Sequence, residues 1–395
     1  MQAFYCGEIC RTKAEQIHQY ECSCLPYFHI NQTPDQVQLA FRIICKVGPK
    51  RLFDLFTTQD PSFFDCKEPY GTQPDRKYES DSYLSVHHLV KHSEKLELPI
   101  RHVNAHHALL ATAILDLEST FFKEIPMDKK TEFKDFIAAQ LLHHIECVSV
   151  NSGGMTQVKG MEQVSLADCY GNRINPRVLS SHIQNMDCRT FGQGVFPTYS
   201  LMNHSCDPNV FTINGLSNGT VSVITSRALR RGEPIFLPYV QDFLLTAREE
   251  RQISLQDSYY FTCQCIACKN KWPTLQEMMT RKLTFSCFHC SKSFGEHEKG
   301  STEFMKCVLT KPQWKCGLCG KEHTEFELHS KLQENEIVAV EASKLLISNR
   351  PREATLQIMR ASEFYQFHLC PPQDQKYRNQ EMFRKAVMLI FYFSQ

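Results

Sequence analysis

The sequence predicts an α+β protein, and three observations support this class. Apolar residues recur with helical spacing over most of residues 33–147. After about Val148 the pattern changes to short β-branched runs between turn dipeptides, which is typical of a compact β region. A cysteine-rich stretch at 263–320 follows, and a second helical pattern begins at Glu325. We therefore expect a small β core that is flanked in the sequence by helices and by metal-stabilised segments.

The first predicted helix runs from Thr33 to about Phe56. Thr33 and Pro34 have the pattern of a helix cap followed by a first-turn proline. Val37 and Phe41 begin an apolar row that falls on one helical face.

Three more helices are predicted before the β region. They cover Tyr83–Leu98, Val103–Leu117 and Lys130–Cys147. Pro99 is expected to stop the first of them, because the residue before a proline is disfavoured in the helical conformation.

Two strands are predicted within the β region, at Gly219–Thr225 and Pro234–Tyr239. Each lies next to a turn dipeptide of the kind that separates short strands, such as Asn218-Gly219 and Arg231-Gly232. A compact set of short strands is therefore expected between the helical segments.

Composition narrows the class of protein. The 395 residues include 44 basic and 43 acidic side chains, so the net charge of +1 gives no support to nucleic-acid binding. The longest apolar run near the C-terminus, Ala386–Phe393, is too short to span a membrane. Residues 1–10 contain no secretory signal, and we expect a cytoplasmic or nuclear protein, or one found in both compartments, with reduced thiols. The 19 cysteines then become candidate zinc ligands.

The tightest group of thiols is Cys263-x-Cys265-x2-Cys268. Three thiols at this spacing can occupy three corners of a zinc tetrahedron, and the fourth ligand must come from elsewhere. The alternative is a chance grouping of core cysteines. Spacing by itself does not choose the fourth ligand.

A second group consists of two Cys-x2-Cys pairs, at Cys287 and Cys290 and at Cys316 and Cys319. We call these four residues the ribbon cluster, because paired knuckles separated by a loop are typical of ribbon-like structural zinc sites. Cys307 is a competing ligand. Four thiolates leave no open position for a substrate, so such a site is structural.

A third group lies near the N-terminus and comprises Cys6, Cys10, His18 and Cys22. These residues have the composition of a site with three thiolates and one imidazole, and the alternative is scattered surface thiols. Two histidine pairs with i, i+4 spacing, His88 with His92 and His102 with His106, lack accompanying ligands. We interpret those pairs as ordinary helix-surface or core residues.

Three motifs resemble SET-domain lysine methyltransferases. The string Asn203-His-Ser-Cys-Asp-Pro-Asn209 resembles the family's core motif, and Gly232-Glu-Pro-Ile-Phe-Leu-Pro-Tyr239 resembles its second motif. The stretch from Arg251 to Cys268 is similar to the post-SET segment. The resemblance implies a SET-type β core.

The N-terminal cysteines narrow the resemblance to the SET- and MYND-domain (SMYD) family. Residues 5–22 are similar to the second half of a MYND zinc finger, and the helical stretch around Tyr83 resembles the insert that follows it. The later cysteine pairs and helices are most similar to the type-4 branch, which has C-terminal TPR-like helices. The implied domains are the partial MYND finger (1–24), the helical insert (25–150), the SET core (151–245), the post-SET and ribbon region (246–330) and the C-terminal helices (331–395).

The resemblance also implies the residue roles. Tyr239 is the expected catalytic residue, and Cys206 is the expected fourth ligand of the zinc held by the post-SET thiols. Ser200 to Met202 are expected to line the cofactor pocket through their backbone. Residues implied to bind S-adenosylmethionine are Asn151, Asn203, His204, Tyr239, Tyr259 and Phe261. The alternative for the aromatic members is ordinary core packing.

The expected function is methyl transfer from S-adenosylmethionine to lysine side chains of histone or other proteins. Relative to the family pattern, we expect the chain to be truncated at its N-terminus, to hold half of each MYND zinc site, and to be truncated at its C-terminus. This leads to an alternative, a catalytically impaired zinc-binding module that binds peptide partners through its MYND-like finger and C-terminal helices.

Overall fold

The computed structural model describes residues 7–59, 78–158, 188–214, 219–240, 243–278, 280–295 and 298–393. The chain divides into two compact units, each treated by itself below. The first comprises Met1–Met155 and Thr190–Leu201, and the second comprises Thr156–Arg189 and Met202–Gln395.

The first unit is mainly helical. Its helices are α1 (Glu8–Glu21), α2 (Leu25–Ile30), α3 (Asp35–Val47), α4 (Pro49–Thr58), α5 (Tyr83–His87), α6 (Leu98–Glu118), α7 (Lys130–Asn151) and α8 (Pro197–Ser200), with a 3-10 turn at Ser93–Lys95. The predicted helices at 103–117 and 130–147 are confirmed as α6 and α7.

Two helix predictions in this unit are wrong in detail. The helix expected from Thr33 to Phe56 is divided into α3 and α4 by Gly48, whose φ of 81° lies in the left-handed region that glycine tolerates. The helix expected over Tyr83–Leu98 ends after five residues as α5. Pro99 begins α6 rather than stopping a helix, because proline is well accommodated in a first turn.

Helices α3, α6 and α7 enclose the core of the first unit. Their buried faces include Phe41, Ala111 and Leu141. Phe133 is fully buried and its ring contacts four other phenylalanine rings, those of Phe53, Phe56, Phe122 and Phe136. The contacts with Phe53 and Phe122 are edge-to-face, an arrangement that adds to the stabilisation from apolar burial.

A group of histidines packs between α5 and α7, and we call His87, His143 and His144 the histidine cluster. His87 and His144 are buried, and His143 is half-buried. The rings of His87 and His143 stack with centroids 4.2 Å apart. His143 Nε2 donates to the His87 carbonyl at 2.7 Å, and His144 Nε2 lies 2.8 Å from the Tyr83 hydroxyl. By contrast, His102 and His106 are exposed on α6, as expected for helix-surface residues.

Short strands and helices build the rest of the chain. Strands β1 (Ser152–Val158) and β2 (Cys188–Val195) pair with each other. The second unit adds β3 (Asn203–His204), β4 (Val210–Asn214), β5 (Val221–Thr225), β6 (Phe236–Leu237), β7 (Phe285–Ser286) and β8 (Val308–Leu309). Its helices are α9 (Arg248–Tyr259), α10 (Ile266–Lys269), α11 (Leu275–Met278), α12 (Thr302–Met305), α13 (Glu325–Ile347), α14 (Pro351–His368) and α15 (Asp374–Phe393), with a 3-10 turn at Ser291–Ser293.

The strands confirm the predicted β region, although they are shorter than the runs that predicted them. Strand β3 pairs in parallel with β6, with Asn203 opposite Phe236 and His204 opposite Leu237. Strand β4 pairs antiparallel with β5. The parallel pairing brings the two sequence motifs, which lie far apart in the chain, side by side. The α+β class is thereby confirmed.

Three consecutive helices, α13, α14 and α15, follow the cysteine-rich stretch. The Thr324 hydroxyl accepts from the Glu327 backbone N–H at 3.1 Å, which caps α13 where the helical pattern was predicted to begin. Leu328 and Ile358 of these helices share one buried core with Cys287 and Cys316. In the part of the chain that the structure describes, no helix has the length and apolarity needed to cross a membrane.

Candidate active site and metal centres

Four cysteines converge in the second unit, and we call Cys206, Cys263, Cys265 and Cys268 the first cysteine cluster. Their sulfur atoms all lie within 4.8 Å of one another. Cys206 Sγ is 3.9 Å from Cys263 Sγ and 3.5 Å from Cys268 Sγ. A zinc tetrahedron with Zn–S bonds of about 2.3 Å has sulfur–sulfur edges of about 3.8 Å. The donor set and its spacing therefore fit a tetrahedral zinc ion.

Backbone hydrogen bonds position the cluster from two sides. The turn that carries Cys206 is tied to β6, because the Ser205 N–H donates to the Leu237 carbonyl at 3.1 Å. On the other side, the side-chain amide of Gln252 donates to the Cys263 carbonyl at 3.0 Å and accepts from its N–H at 2.9 Å. The thiols are thus held together by the SET-like strands and by α9.

Arg251 supplies positive charge to the first cysteine cluster. Its side chain is 1% exposed, and its Nη2 lies 3.7 Å from Cys268 Sγ while Nη1 donates to the Thr246 carbonyl. Within the cluster, hydrogen bonds from Cys206 and the other two thiols hold the pKa of Cys265 below its ordinary value. A buried guanidinium beside sulfur favours the thiolate form that metal binding requires. Arg251 begins the stretch that resembles the post-SET segment, but no role was predicted for it from the sequence.

His204 connects the cluster to Tyr239. The Tyr239 backbone N–H donates to His204 Nδ1 at 3.0 Å, and His204 Nε2 lies 3.2 Å from Cys206 Sγ. Burial lowers the pKa of His204 to about 4, so the ring is neutral at pH 7. Because Nδ1 accepts a hydrogen bond, the proton is on Nε2 and points at the sulfur. Both ring nitrogens of His204 are therefore engaged within the chain.

Three aromatic side chains lie close to the motif residues, and we call Tyr239, Tyr259 and Phe261 the aromatic group. The rings of Tyr239 and Phe261 contact the His204 ring, and Tyr259 contacts Tyr239. The ring of Tyr239 lies 4.8 Å from Tyr259 and 6.5 Å from Phe261, between centroids. The Tyr239 hydroxyl donates to the Met202 carbonyl at 2.6 Å, and the Tyr259 hydroxyl donates to the Tyr239 carbonyl at 3.5 Å. Burial raises the pKa of Tyr259, which keeps its hydroxyl neutral. The group forms a half-buried aromatic surface around one fixed hydroxyl.

Two asparagines belong to the same predicted site. The Asn203 side chain is exposed where β3 begins. Asn151 lies in the first unit as the last residue of α7, and its amide donates to the carbonyls of Val90 and Cys147 at 2.6 and 2.8 Å. Ser200 donates to the Asn151 carbonyl at 3.0 Å. The predicted cofactor contacts of both asparagines stay predictions.

The ribbon cluster also converges. The sulfur atoms of Cys287, Cys290, Cys316 and Cys319 lie within 4.8 Å of one another, with Cys287 and Cys319 3.8 Å apart. Backbone hydrogen bonding from Lys321 lowers the pKa of Cys319 to about 7. This group of four does not include Cys307, the competing ligand considered from the sequence.

His323 is a further feature of the ribbon cluster, and it is a residue that the sequence reasoning missed. Its Nε2 lies 3.4 Å from Cys287 Sγ, and the side chain is buried. The spacing Cys319-x3-His323 was the signal that could have found it. Because a hydrogen bond from an imidazole stabilises a thiolate, His323 resembles His204 in its relation to the neighbouring sulfur.

The N-terminal ligands are only partly described. Cys10 and Cys22 are exposed, and Cys6 lies outside the described residues. Cys10 and His18 are both in α1, eight residues and hence about 12 Å apart along the helix axis. One tetrahedral ion does not bridge that distance, so this helix separates Cys10 from the pair formed by His18 and Cys22. That arrangement agrees with the half-sites expected from the MYND resemblance, which stay predictions.

Comparison with known proteins identifies the family. The SET domain model matches residues 4–240, more than half of the chain. The N-lysine methyltransferase SMYD2 of Gallus gallus is 26% identical over 286 residues, which cover 71% of this chain and 49% of that relative. SMYD2 of Homo sapiens is 27% identical over 287 residues, which cover 72% of this chain and 49% of that relative. SMYD2-A of Xenopus laevis is 26% identical over 285 residues, which cover 72% of this chain and 50% of that relative. The chain is a SET-domain protein of the SMYD family.

This SMYD-family chain spans about half the length of the curated relatives it matches. The SET match extends over residues that the sequence pattern assigned to the MYND finger and the helical insert as well as to the SET core. The type-4 branch and the five predicted domain boundaries stay predictions.

Proposed function

We propose that this SMYD-family chain transfers methyl groups from S-adenosylmethionine to lysine side chains of proteins. The observation that carries the proposal is the fixed Tyr239 hydroxyl, held on the Met202 carbonyl within the aromatic group. The SET match and the relatives, which are N-lysine methyltransferases, support the same reaction.

The chain's residues fit the proposed cofactor. S-adenosylmethionine, when bound, supplies an electrophilic methyl group on a positively charged sulfur. The half-buried ring of Phe261 offers a face for the adenine, and Tyr259 offers a second aromatic surface. Asn203 contributes polar contacts. Since both ring nitrogens of His204 are engaged, His204 would contribute through its backbone.

The substrate lysine must be neutral to attack. A free lysine has a pKa of about 10.4, and deprotonating it at pH 7 costs about 4–5 kcal/mol. An apolar, water-poor surface and a nearby positive charge both lower that pKa. The Tyr239 hydroxyl donates to the Met202 carbonyl, and its oxygen can still accept from the amine. Tyr239 would therefore align the amine, and alignment supplies most of the acceleration.

We further propose that zinc occupies both cysteine clusters. Four thiols at tetrahedral spacing, with donors from Arg251 and His204 or from His323 directed at sulfur, are the donor set that zinc prefers. With four protein ligands each ion is structural. At the first cysteine cluster the ion would tie the Cys206 turn to the segment that carries Phe261.

Calorimetry tests the proposal in two steps. Zinc-loaded chain is titrated with S-adenosylmethionine, and transfer of a radiolabelled methyl group to histones and lysine peptides is then measured. Tyr239→Phe is expected to keep cofactor binding and to lose about 100-fold in transfer rate, because alignment of the amine is lost. Tyr27→Phe, at an exposed tyrosine of the first unit, is the matched control.

Absence of cofactor binding to the zinc-loaded wild-type chain at millimolar concentration would overturn the enzymatic proposal. The alternative function, a catalytically impaired zinc-binding module that binds peptide partners, would then be favoured.

A further inference from the structure

Helix α15 reaches the turn that carries Cys206. Lys376 Nζ lies 3.7 Å from Asp207 Oδ2, and Asp207 directly follows Cys206 in the sequence. The two side chains are only 6% and 11% exposed. A buried charge that loses its partner is strongly destabilising, so this ion pair constrains the relative position of helix and turn.

A second contact from α15 supports the same turn. The ring of Tyr377 lies 5.0 Å from that of Phe243 in an edge-to-face arrangement, and Phe243 in turn lies 5.2 Å from Trp272. The Phe243 backbone N–H donates to the Cys206 carbonyl at 3.3 Å. Consecutive residues of α15 thus contact the cysteine turn by charge and through a buried aromatic ring.

The helix that presents these residues is fixed on its other side. The Asn379 amide, 1% exposed, donates to the Ile358 carbonyl at 2.9 Å and to the Ser362 hydroxyl of α14. Farther along α15, Phe383 lies edge-to-face with Phe211 of β4. The helix therefore spans from the C-terminal helices to the SET-like strands.

Packing between α15 and the turn is incomplete. A cavity of about 130 Å³ lies beside the ion pair, and its lining includes Asp207, Phe211, Phe243, Tyr377 and Arg384. This cleft interrupts the packing, and the ion pair and the Tyr377–Phe243 contact are direct links from α15 to the Cys206 turn and its neighbour Phe243.

We propose that Lys376 and Tyr377 are positioning residues for the first cysteine cluster. Through Asp207 and Phe243 they hold Cys206 in its ligand position, and through the adjoining β3 they hold His204 against Tyr239. This inference rests on the proposed function, which assigns zinc and the cofactor to these residues. It gives the C-terminal helix a direct part in the active site.

The test uses the full chain and five variants. Lys376→Met, Asp207→Asn and the double variant are compared with Lys376→Arg, which keeps the charge. Lys344→Met is the matched control, because it removes a lysine from an exposed ion pair with Glu341. Zinc affinity is measured by competition with a chromophoric chelator, and S-adenosylmethionine affinity by calorimetry.

Lys376→Met is expected to weaken zinc binding at the first cysteine cluster by about 10–100-fold, the range found for outer-shell partners. Release of zinc from the ribbon cluster should be the same in Lys376→Met as in the wild-type chain. The double variant should lose about as much as the more affected single variant, because the two side chains act through the same ion pair. Lys376→Arg should retain affinity. If Lys376→Met does not fold, Lys376→Arg and Asp207→Asn carry the comparison.

Lowered thermal stability of Lys376→Met with unchanged zinc affinity at the first cluster would overturn the inference. So would a loss in the double variant equal to the sum of the two single losses, because independent effects add. The zinc readout also separates the two proposals. Lys376-dependent zinc binding without cofactor binding refutes the enzymatic function alone, and cofactor binding without Lys376 dependence refutes this inference alone.

Discussion

Acidification is expected to destabilise the first unit through the histidine cluster. Burial lowers the pKa of His143 to about 4, and it holds the pKa values of His87 and His144 well below the ordinary value. Lys91 lowers all three further by charge repulsion. The only hydrogen bond that the structure gives to the His144 ring in the described residues is the one with Tyr83.

The sign of the effect follows from the depressed pKa values. An unfolded histidine has a pKa of about 6.5, so below that pH the unfolded chain binds protons that the folded cluster does not. Stability is fully present above about pH 6.5 and is lost as the pH falls toward 4. At pH 5.5 each histidine lowers the free energy of unfolding by about 1.4 kcal/mol, so the three together lower it by about 4 kcal/mol. That is a large part of a stability of about 5–15 kcal/mol.

Hydrogen exchange of peptides from residues 137–148 in α7 measures this loss, with rates corrected for their intrinsic pH dependence. We expect protection to fall by about 4 kcal/mol between pH 7.5 and 5.5, and His143→Gln to reduce the difference by about one third. His106→Gln, at an exposed position of α6, is the control. A change below about 1.4 kcal/mol, the value for one proton, would refute the reasoning.

Three further predictions concern the core and the two cysteine clusters. Phe133→Ala removes a fully buried ring and is expected to cost about 3–5 kcal/mol in urea denaturation. The exposed Phe326→Ala should stay within about 0.5 kcal/mol, and equal costs would contradict the core assignment. Arg251→Met is expected to weaken zinc binding at the first cysteine cluster by about 10–100-fold in chelator competition, with the ribbon cluster as internal reference. Cys307→Ser should leave the zinc content measured by mass spectrometry unchanged. Cys290→Ser should lower the zinc content by one ion per chain. Loss of an ion from both variants would show that Cys307 is a ligand.

Local patterns predicted the elements whose causes are local. Helical patterns were predicted at 130–147 and from Glu325, and α7 and α13 form there, because helical periodicity depends on residues within a few turns. The ribbon cluster was predicted from spacing alone, and the structure brings its four sulfur atoms together. The exact limits of α3 and α5 were missed. Gly48, whose φ is 81°, separates α3 from α4, and α5 ends at His87.

Contacts between distant residues had no such signal. Cys206 precedes Cys263 by 57 residues, and only the family resemblance connected them in advance. The histidine cluster joins His87 to His143, 56 positions later, and neither residue stands in a pattern that distinguishes it from a surface histidine. Lys376 and Asp207 are farther apart still, and each alone is an ordinary charged residue.

The hydrogen bonds of His204 connect the proposed zinc site to the proposed catalytic residue, Tyr239. A single neutral ring accepts from the Tyr239 backbone and donates toward Cys206, so the position of the tyrosine depends on the position of the sulfur. If zinc left the first cysteine cluster, the thiols would repel or reprotonate and the Nε2 hydrogen bond would weaken. Tyr239 would then lose one of the contacts that fix its backbone, while its hydroxyl kept the bond to Met202. Chelation should therefore impair transfer through misplacement of Tyr239 before it unfolds the strands, and a loss of transfer rate that precedes any loss of β3–β6 protection in hydrogen exchange would show that order.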